Sequence, residues 1–231
     1  MKIAVISDIH GNVFALERVM KEIHQRAIDW CIFCGDLCGY YYLQNEAIDF
    51  IRNRKNTICV MGNHDKLFLD SLKDEKILDD YSARYGGSLR YLKGNISCAN
   101  LEFLRGLPLS YEDKAWNLAV FHGSPWDRLN EYIYPTDPVD RFKDFGRRFV
   151  LLGHTHYPMH QRIGDVQIVN PGSVGQPRDD HDASYAIVDL ARGSVEFRRV
   201  EYDVRALTDD LKRRKEDKEY LFNILYRKKN G

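Results

Sequence analysis

Five times in this chain a strand-length apolar run stops at a short polar loop, and that repeated punctuation constrains the fold more than any other feature. KIAVI (2–6) ends at Ser7-Asp8-Ile9-His10-Gly11-Asn12, and the run near Trp30 to Cys34 ends at Gly35-Asp36. Thr57 to Val60 leads to Gly62-Asn63-His64-Asp65, and Trp116 to Phe121 to His122-Gly123-Ser124-Pro125. Phe149 to Leu152 leads to Gly153-His154-Thr155-His156. Short apolar runs bounded this way read as fully buried strands. Between the first three lie helical patterns. Asn12 caps one whose apolar face is Leu16, Val19, Met20 and Ile23, and Leu43, Ala47, Phe50 and Ile51 are placed on one face of the next. The β-α-β-α-β order predicts parallel strands with right-handed crossovers. Parallel strands end on a common edge, so the polar loops gather where open α/β folds place their sites.

Residues 66 to 107 read as mostly helical, with a break at Gly86-Gly87. Strands follow at Leu109–Asp113, Met159–Ile163, Val166–Asn170, Ser184–Leu190 and Ser194–Tyr202, separated by turn residues such as Gly164-Asp165 and Arg192-Gly193. Early βα units followed by hairpins predict two packed sheets flanked by helices. No repeat, low-complexity tract or linker divides the 231 residues, so 1–231 is expected to form one domain with a charged helical tail from about 203. That tail carries a broken apolar stripe of Leu207, Leu211, Leu221, Ile224 and Leu225.

Lysine plus arginine equals aspartate plus glutamate at 34 each, which gives no whole-molecule attraction to nucleic acid or an anionic membrane. The N-terminal apolar run is too short for a signal-peptide core, and no stretch approaches the roughly 20 apolar residues of a spanning helix. A cytoplasmic protein with reduced thiols is the expectation, consistent with five cysteines, an odd number. Cys31-x-x-Cys34 invites a zinc or redox role. Positions three apart on a strand point to opposite faces, however, so the pair reads as two small core residues.

A lone Asp-x-His is common and a lone His is usually structural; the set matters more than its parts. Asp8, His10, Asp36, Asn63, His64, His122, His154 and His156 all sit just past apolar strands. Gathering two carboxylates, an amide and several imidazoles in one buried place is costly unless cations compensate. Oxygen and imidazole donors without thiolate suit Mn²⁺, Fe, Zn²⁺ or Ni²⁺, and the donors are too many for one catalytic zinc. A carboxylate shared between two ions resolves the count.

The ordered blocks Asp8-x-His10, Gly35-Asp36, Gly62-Asn63-His64-Asp65, His122-Gly123 and Gly153-His154-x-His156 resemble the calcineurin-like metallophosphoesterase superfamily. The longer strings SDIHGN, VMGNHD, LLGHTH and NPGSVGQPRD are similar to its small bacterial and archaeal phosphodiesterases, relatives of diadenosine tetraphosphatase and protein phosphatase. The resemblance implies a four-layer α/β/β/α sandwich of two mixed sheets flanked by helices. It implies two divalent ions, manganese favoured. Asp8, His10 and His156 would hold the first, Asn63, His122 and His154 the second, and Asp36 both. A water or hydroxide shared by the ions would attack phosphorus in line. His64 would bind a phosphoryl oxygen or protonate the leaving oxygen, with Asp65 orienting its ring. The rival role for His64 is a further ligand or a structural residue.

The expected substrate is a small phosphodiester, with nucleotide phosphoanhydrides or monoesters as alternatives, and a protein phosphatase, a nuclease or a non-catalytic scaffold on the same fold as rivals. The sequence is silent on oligomeric state. Asn170-Pro171-Gly172-Ser173-Val174-Gly175-Gln176-Pro177-Arg178-Asp179 either offers amides and Arg178 to phosphate or forms a tight crossover beneath the metal ligands. Ser173 does not sit in a nucleophile elbow. Tyr40-Tyr41-Tyr42 and Trp126 either pack the loops or stack a nucleobase, the latter giving Trp126 a place in substrate binding.

Overall fold

The computed structural model describes residues 1–226. Strands β1 (Lys2–Ile6), β2 (Trp30–Phe33) and β3 (Thr57–Cys59) run parallel, joined by helices α1 (Val13–His24) and α2 (Gln44–Arg52) as predicted. Two later strands, β9 (Ala183–Asp189) and β10 (Ser194–Val200), add antiparallel on the far side of β1, giving the order β10-β9-β1-β2-β3. The second sheet contains β4 (Ser110–Asp113), β5 (Leu118–Phe121), β6 (Phe149–Leu151), β7 (Pro158–Ile163) and β8 (Val166–Pro171), in the order β4-β5-β6-β8-β7. Its central strands β5, β6 and β8 are parallel.

Strand alternation puts successive residues on opposite faces. Ile3, Val5 and Ile32 therefore meet Leu118, Val120, Phe149 and Leu151 of the second sheet in one apolar layer. Ala4, Ile6, Cys31 and Phe33 pack on the other side against the helices. Cys31 and Cys34 fall in these two different layers, as their spacing requires.

Helix α1 starts where Asn12 accepts the Ala15 N–H at 3.1 Å, and it buries Leu16, Val19, Met20 and Ile23. The face predicted for α2 needs correction. Gln44, Ala47, Ile48 and Ile51 are buried, Leu43 is the N-cap, and Phe50 is 37 % exposed. Phe50 lies one residue, about 100° of helical turn, from Ile51, so the two point to different sides. Residues 63 to 105 form α3 (Asn63–Ser71), α4 (Glu75–Tyr85), α5 (Ser88–Asn95) and α6 (Cys98–Arg105), with Gly86-Gly87 between α4 and α5. Strand β5 begins later than predicted because the Asp113 carboxylate accepts the Trp116 N–H and holds a turn there.

The four-layer α/β/β/α sandwich is present with a thin last layer. The segment after β5 lays Ile133, Val139 and Phe142 over Ala119, Phe121, Val150 and Ile168, with one short 3₁₀ turn at Asp140–Phe142. The tail, α7 (Val204–Arg213), α8 (Glu219–Asn223) and a 3₁₀ turn (Ile224–Tyr226), buries all five leucine and isoleucine positions of its stripe, packing them with Tyr40, Tyr41 and Tyr42. The tyrosine run is therefore core, not surface. No helix of the described residues is long and apolar enough to cross a membrane.

Candidate metal centre

The ends of β1, β2, β3, β5 and β6 meet along the shared edge of the two sheets, and the seven predicted ligands meet there. His10 Nε2 lies 3.1 Å from His156 Nε2, 3.8 Å from Asp8 Oδ1 and 3.7 Å from Asp36 Oδ2. His156 Nε2 is 3.4 Å from Asp8 Oδ1. On the other side, His122 Nε2 lies 3.4 Å from Asp36 Oδ2 and 2.8 Å from Asn63 Oδ1, and His154 joins Asp36 and His122 within metal-binding reach. Two donor groups thus share one carboxylate, that of Asp36.

The protonation pattern fits cations. A carbonyl can only accept, so His10 Nδ1 donates to Cys38 O (2.8 Å), His122 Nδ1 to Cys34 O (2.7 Å) and His156 Nδ1 to Gln176 O (2.6 Å). Each bond fixes the tautomer and turns a Nε2 lone pair inward. His154 is reversed: its Nε2 donates to Asn130 O at 3.2 Å, which leaves Nδ1 as its donor atom. The Nε2 atoms of His10 and His156 therefore face each other lone pair to lone pair. Beside them, Asp8 Oδ1 is buried with no hydrogen-bond partner. A positive charge between these three atoms satisfies all of them.

Protons partly play that part in the metal-free chain. Burial would lower His122, yet the Asp36 carboxylate prevails and pushes it up to about 9. Burial would likewise raise Asp36, but His122 and His64 hold it well below the usual carboxylate range. Burial pushes Asp8 up to about 7 against the pull of His122. His10 and His156 are driven down by burial, and His154 falls to about 3 through burial and the neighbouring His122.

The backbone is as specialised as the side chains. Asp8, His10, Asp36, His154 and His156 have φ of 56°, 52°, 58°, 70° and 64°, the left-handed region that residues with a Cβ rarely occupy. Gly62 is required because a Cβ there would strike the Asp36 carboxylate. The loop after β8 takes the crossover role. Ser173 Oγ donates to Asp8 O at 2.8 Å, while the Val174 and Gly175 N–H groups donate to Ser7 O and Asp8 O. A Cβ on Gly175 would overlap the Ile9 carbonyl. Ser173 is thus a buried brace under Asp8.

Asp65 is placed differently from expectation. Its two oxygens accept the N–H groups of Asp36 (3.0 Å), Leu37 (3.0 Å), Cys38 (2.9 Å) and Gly62 (3.0 Å), so it braces the Asp36 loop and the start of α3 and does not orient the His64 ring. His64 borders the centre: its N–H donates to Asp36 Oδ1 at 2.8 Å and its ring stands 4.9 Å from those of His10 and Tyr40. Its Nδ1 is buried without a partner, and burial lowers its pKa against the pull of Asp36. Arg178 is half-buried, its charge lying within electrostatic reach of Tyr40, Tyr220, Asp8 and Tyr132.

Trp126 does not join this group. Its ring, 50 % exposed, packs at 4.8 Å on Phe142 of the outer layer, with the Arg141 guanidinium 3.8 Å over it. Tyr40 meets His10 edge-on at 4.5 Å but is buried; the part-exposed ring against the centre is Tyr132, stacked on His154 at 3.9 Å, with Tyr134 parallel to it. Sequence reasoning missed both, although the alternation Tyr132-Ile133-Tyr134, with Ile133 buried, is a strand-like signal.

Residues 1–193 match the calcineurin-like phosphoesterase superfamily domain. An uncharacterized protein of Methanocaldococcus jannaschii is 36 % identical over 223 residues, 88 % of each chain. A phosphodiesterase of the same organism is 21 % identical over 178 residues, 74 % of this chain and 83 % of the other. The crystal structure of a metallophosphoesterase from Sphaerobacter thermophilus superposes with a TM-score of 0.83 at 30 % identity, covering 97 % of this chain and 98 % of that one.

Proposed function

Because the chain belongs to the calcineurin-like phosphoesterase superfamily, and is accordingly a metal-dependent phosphoric ester hydrolase, we propose that it is a dinuclear enzyme acting on small phosphodiesters. In this reading Asp8, His10 and His156 hold one divalent ion, Asn63, His122 and His154 hold a second, and Asp36 serves both. Manganese is the favoured metal on the family resemblance; the carboxylate, amide and imidazole donors without thiolate suit Mn²⁺, Fe, Zn²⁺ or Ni²⁺. When bound, such ions supply electrostatic stabilisation of phosphoryl oxygens and make water acidic enough to attack at neutral pH.

The protein's own residues do the remainder. Hydrolysis adds water across phosphorus, breaks the P–O ester bond and requires a proton on the departing oxygen. In this reading His64, beside the ligands, gives that proton. Burial lowers its pKa, and the negative charge of an arriving phosphoryl group opposes that shift. Arg178 brings a fixed positive charge to the same phosphate. The chain acts in this reading as one folding unit in a reducing, cytoplasmic compartment, consistent with five unpaired cysteines.

The position of Asp36 carries the proposal: one carboxylate oxygen lies 3.7 Å from His10 Nε2 and 3.4 Å from His122 Nε2. Metal analysis of manganese-reconstituted protein is expected to give two ions per chain, and Asp36→Ala should weaken both. A fully active protein with a single ion would overturn the two-ion reading.

A further inference from the structure

We propose that Tyr132 and Tyr134 form a stacking platform for a nucleobase beside the metal centre, so that the substrates are nucleotide phosphoesters. This rests on the phosphoesterase reading above and specifies its organic group. The Tyr132 ring stacks on His154 at 3.9 Å and 24°, and Tyr134 lies parallel to Tyr132 at 5.7 Å and 6°. His154 is buried at 5 % exposure, whereas Tyr132 and Tyr134 are 45 % and 36 % exposed. Two parallel, part-exposed rings thus lead away from a proposed metal ligand.

The segment that carries them is pinned. Asn130 gives its carbonyl to His154 Nε2, Glu131 binds Ser124 and the Arg141 guanidinium, and Ile133 is buried in the outer layer. The Tyr132 and Tyr134 rings lie together, part-exposed, while Ile133 between them is buried. A turn closes the segment, with the Tyr134 N–H donating to Asp137 Oδ2 at 2.7 Å, and Tyr157 meets Tyr134 edge-on at 6.2 Å. Rings ordered before binding lose little entropy when a base stacks on them.

The test compares AMP with ribose 5-phosphate by calorimetry on the manganese-reconstituted protein. The two share phosphate and sugar and differ in the base. A stacked base is expected to make AMP about tenfold to a hundredfold tighter. Tyr134→Ala and Tyr134→Leu should collapse that ratio while ribose 5-phosphate still binds, Tyr134→Phe should keep it, and Trp126→Ala should leave it as in the wild type. The leucine variant preserves bulk against Tyr157, and metal content is measured for each protein. Equal affinities in the wild type, or a ratio unchanged in the alanine and leucine variants, would overturn the platform while leaving the phosphate site standing. Phenyl phosphate matching AMP would overturn the nucleobase assignment. Failure to bind either phosphate compound would overturn the proposed dinuclear phosphate site on which the platform rests.

Discussion

Asp65→Asn separates a bracing role from a catalytic one. The Asp65 carboxylate accepts four backbone N–H groups, two on each oxygen, at 2.9–3.0 Å. It stands on the first turn of α3, where a negative charge also suits the helix N-terminus. Asparagine keeps one accepting oxygen and turns an NH₂ group toward the other two donors. Two charge-assisted bonds are lost at roughly 1.5–3 kcal/mol each, so the expected destabilisation is about 3–6 kcal/mol. That is a large share of the roughly 5–15 kcal/mol that holds a typical domain together. At roughly 2–4 °C per kcal/mol for a chain of this size, the melting temperature should fall by about 6–24 °C. Metal affinity should drop with it, because three of the four donors belong to Asp36, Leu37 and Cys38. Calorimetric melting and metal titration read both effects. A variant melting within about 2 °C of wild type, with full metal content and a collapsed kcat, would return Asp65 to the role of orienting His64.

Replacing His64 with alanine should leave the metals bound and lower kcat by roughly two to four orders of magnitude, the usual scale for a general acid. The loss should shrink for nitrophenyl esters, whose leaving groups need no proton; a loss of metal would make His64 a ligand. Ion binding should release protons at pH 7. Metal-free His122 sits at about 9 and Asp8 at about 7, so the first is protonated there and the second about half so. Apparent metal affinity should therefore rise with pH up to about 9, and titration heats should depend on the buffer's ionisation enthalpy; heats independent of buffer would refute this. Gly62→Ala should impair metal binding by displacing the Asp36 carboxylate, measured as lost stoichiometry in equilibrium dialysis.

The ligands were legible because each one adjoins the apolar run that positions it. Asp8, Asp36, His122 and His154 are within three residues of a strand end, so reading the strands located the site. Where the reading went astray, it took sequence neighbours for spatial ones. Asp65 follows His64, but adjacent residues on a helix do not face each other, and its carboxylate reaches the β2 loop instead. Phe50 fails in the same way against Ile51. Tyr132 lies 22 residues before His154, in a segment with no helical period, and only the tertiary fold stacks them. Trp126 lies nearer to His122 in sequence, yet the chain turns it onto Phe142.

The left-handed residues show what holds the site in its shape. Each such conformation costs roughly 1–2 kcal/mol, so Asp8, His10, Asp36, His154 and His156 together carry about 5–10 kcal/mol. Strain on that scale persists only where the surroundings over-determine the backbone. Here hydrogen bonds do so. The Ile9 and His10 N–H groups both donate to Asp36 O, Asp8 N–H to Gly35 O and Gly11 N–H to Leu37 O, lacing the first two loops together. Asp65 secures the second loop to α3, the Ser173–Gly175 turn secures the first from below, and His154 N–H donates to Asp8 Oδ2 across the two sheets. The hydrogen bonds and packing of folding thus offset the strain. Ligands fixed in this way cannot relax around a substrate, so an arriving phosphate must fit the geometry already set by the strand ends.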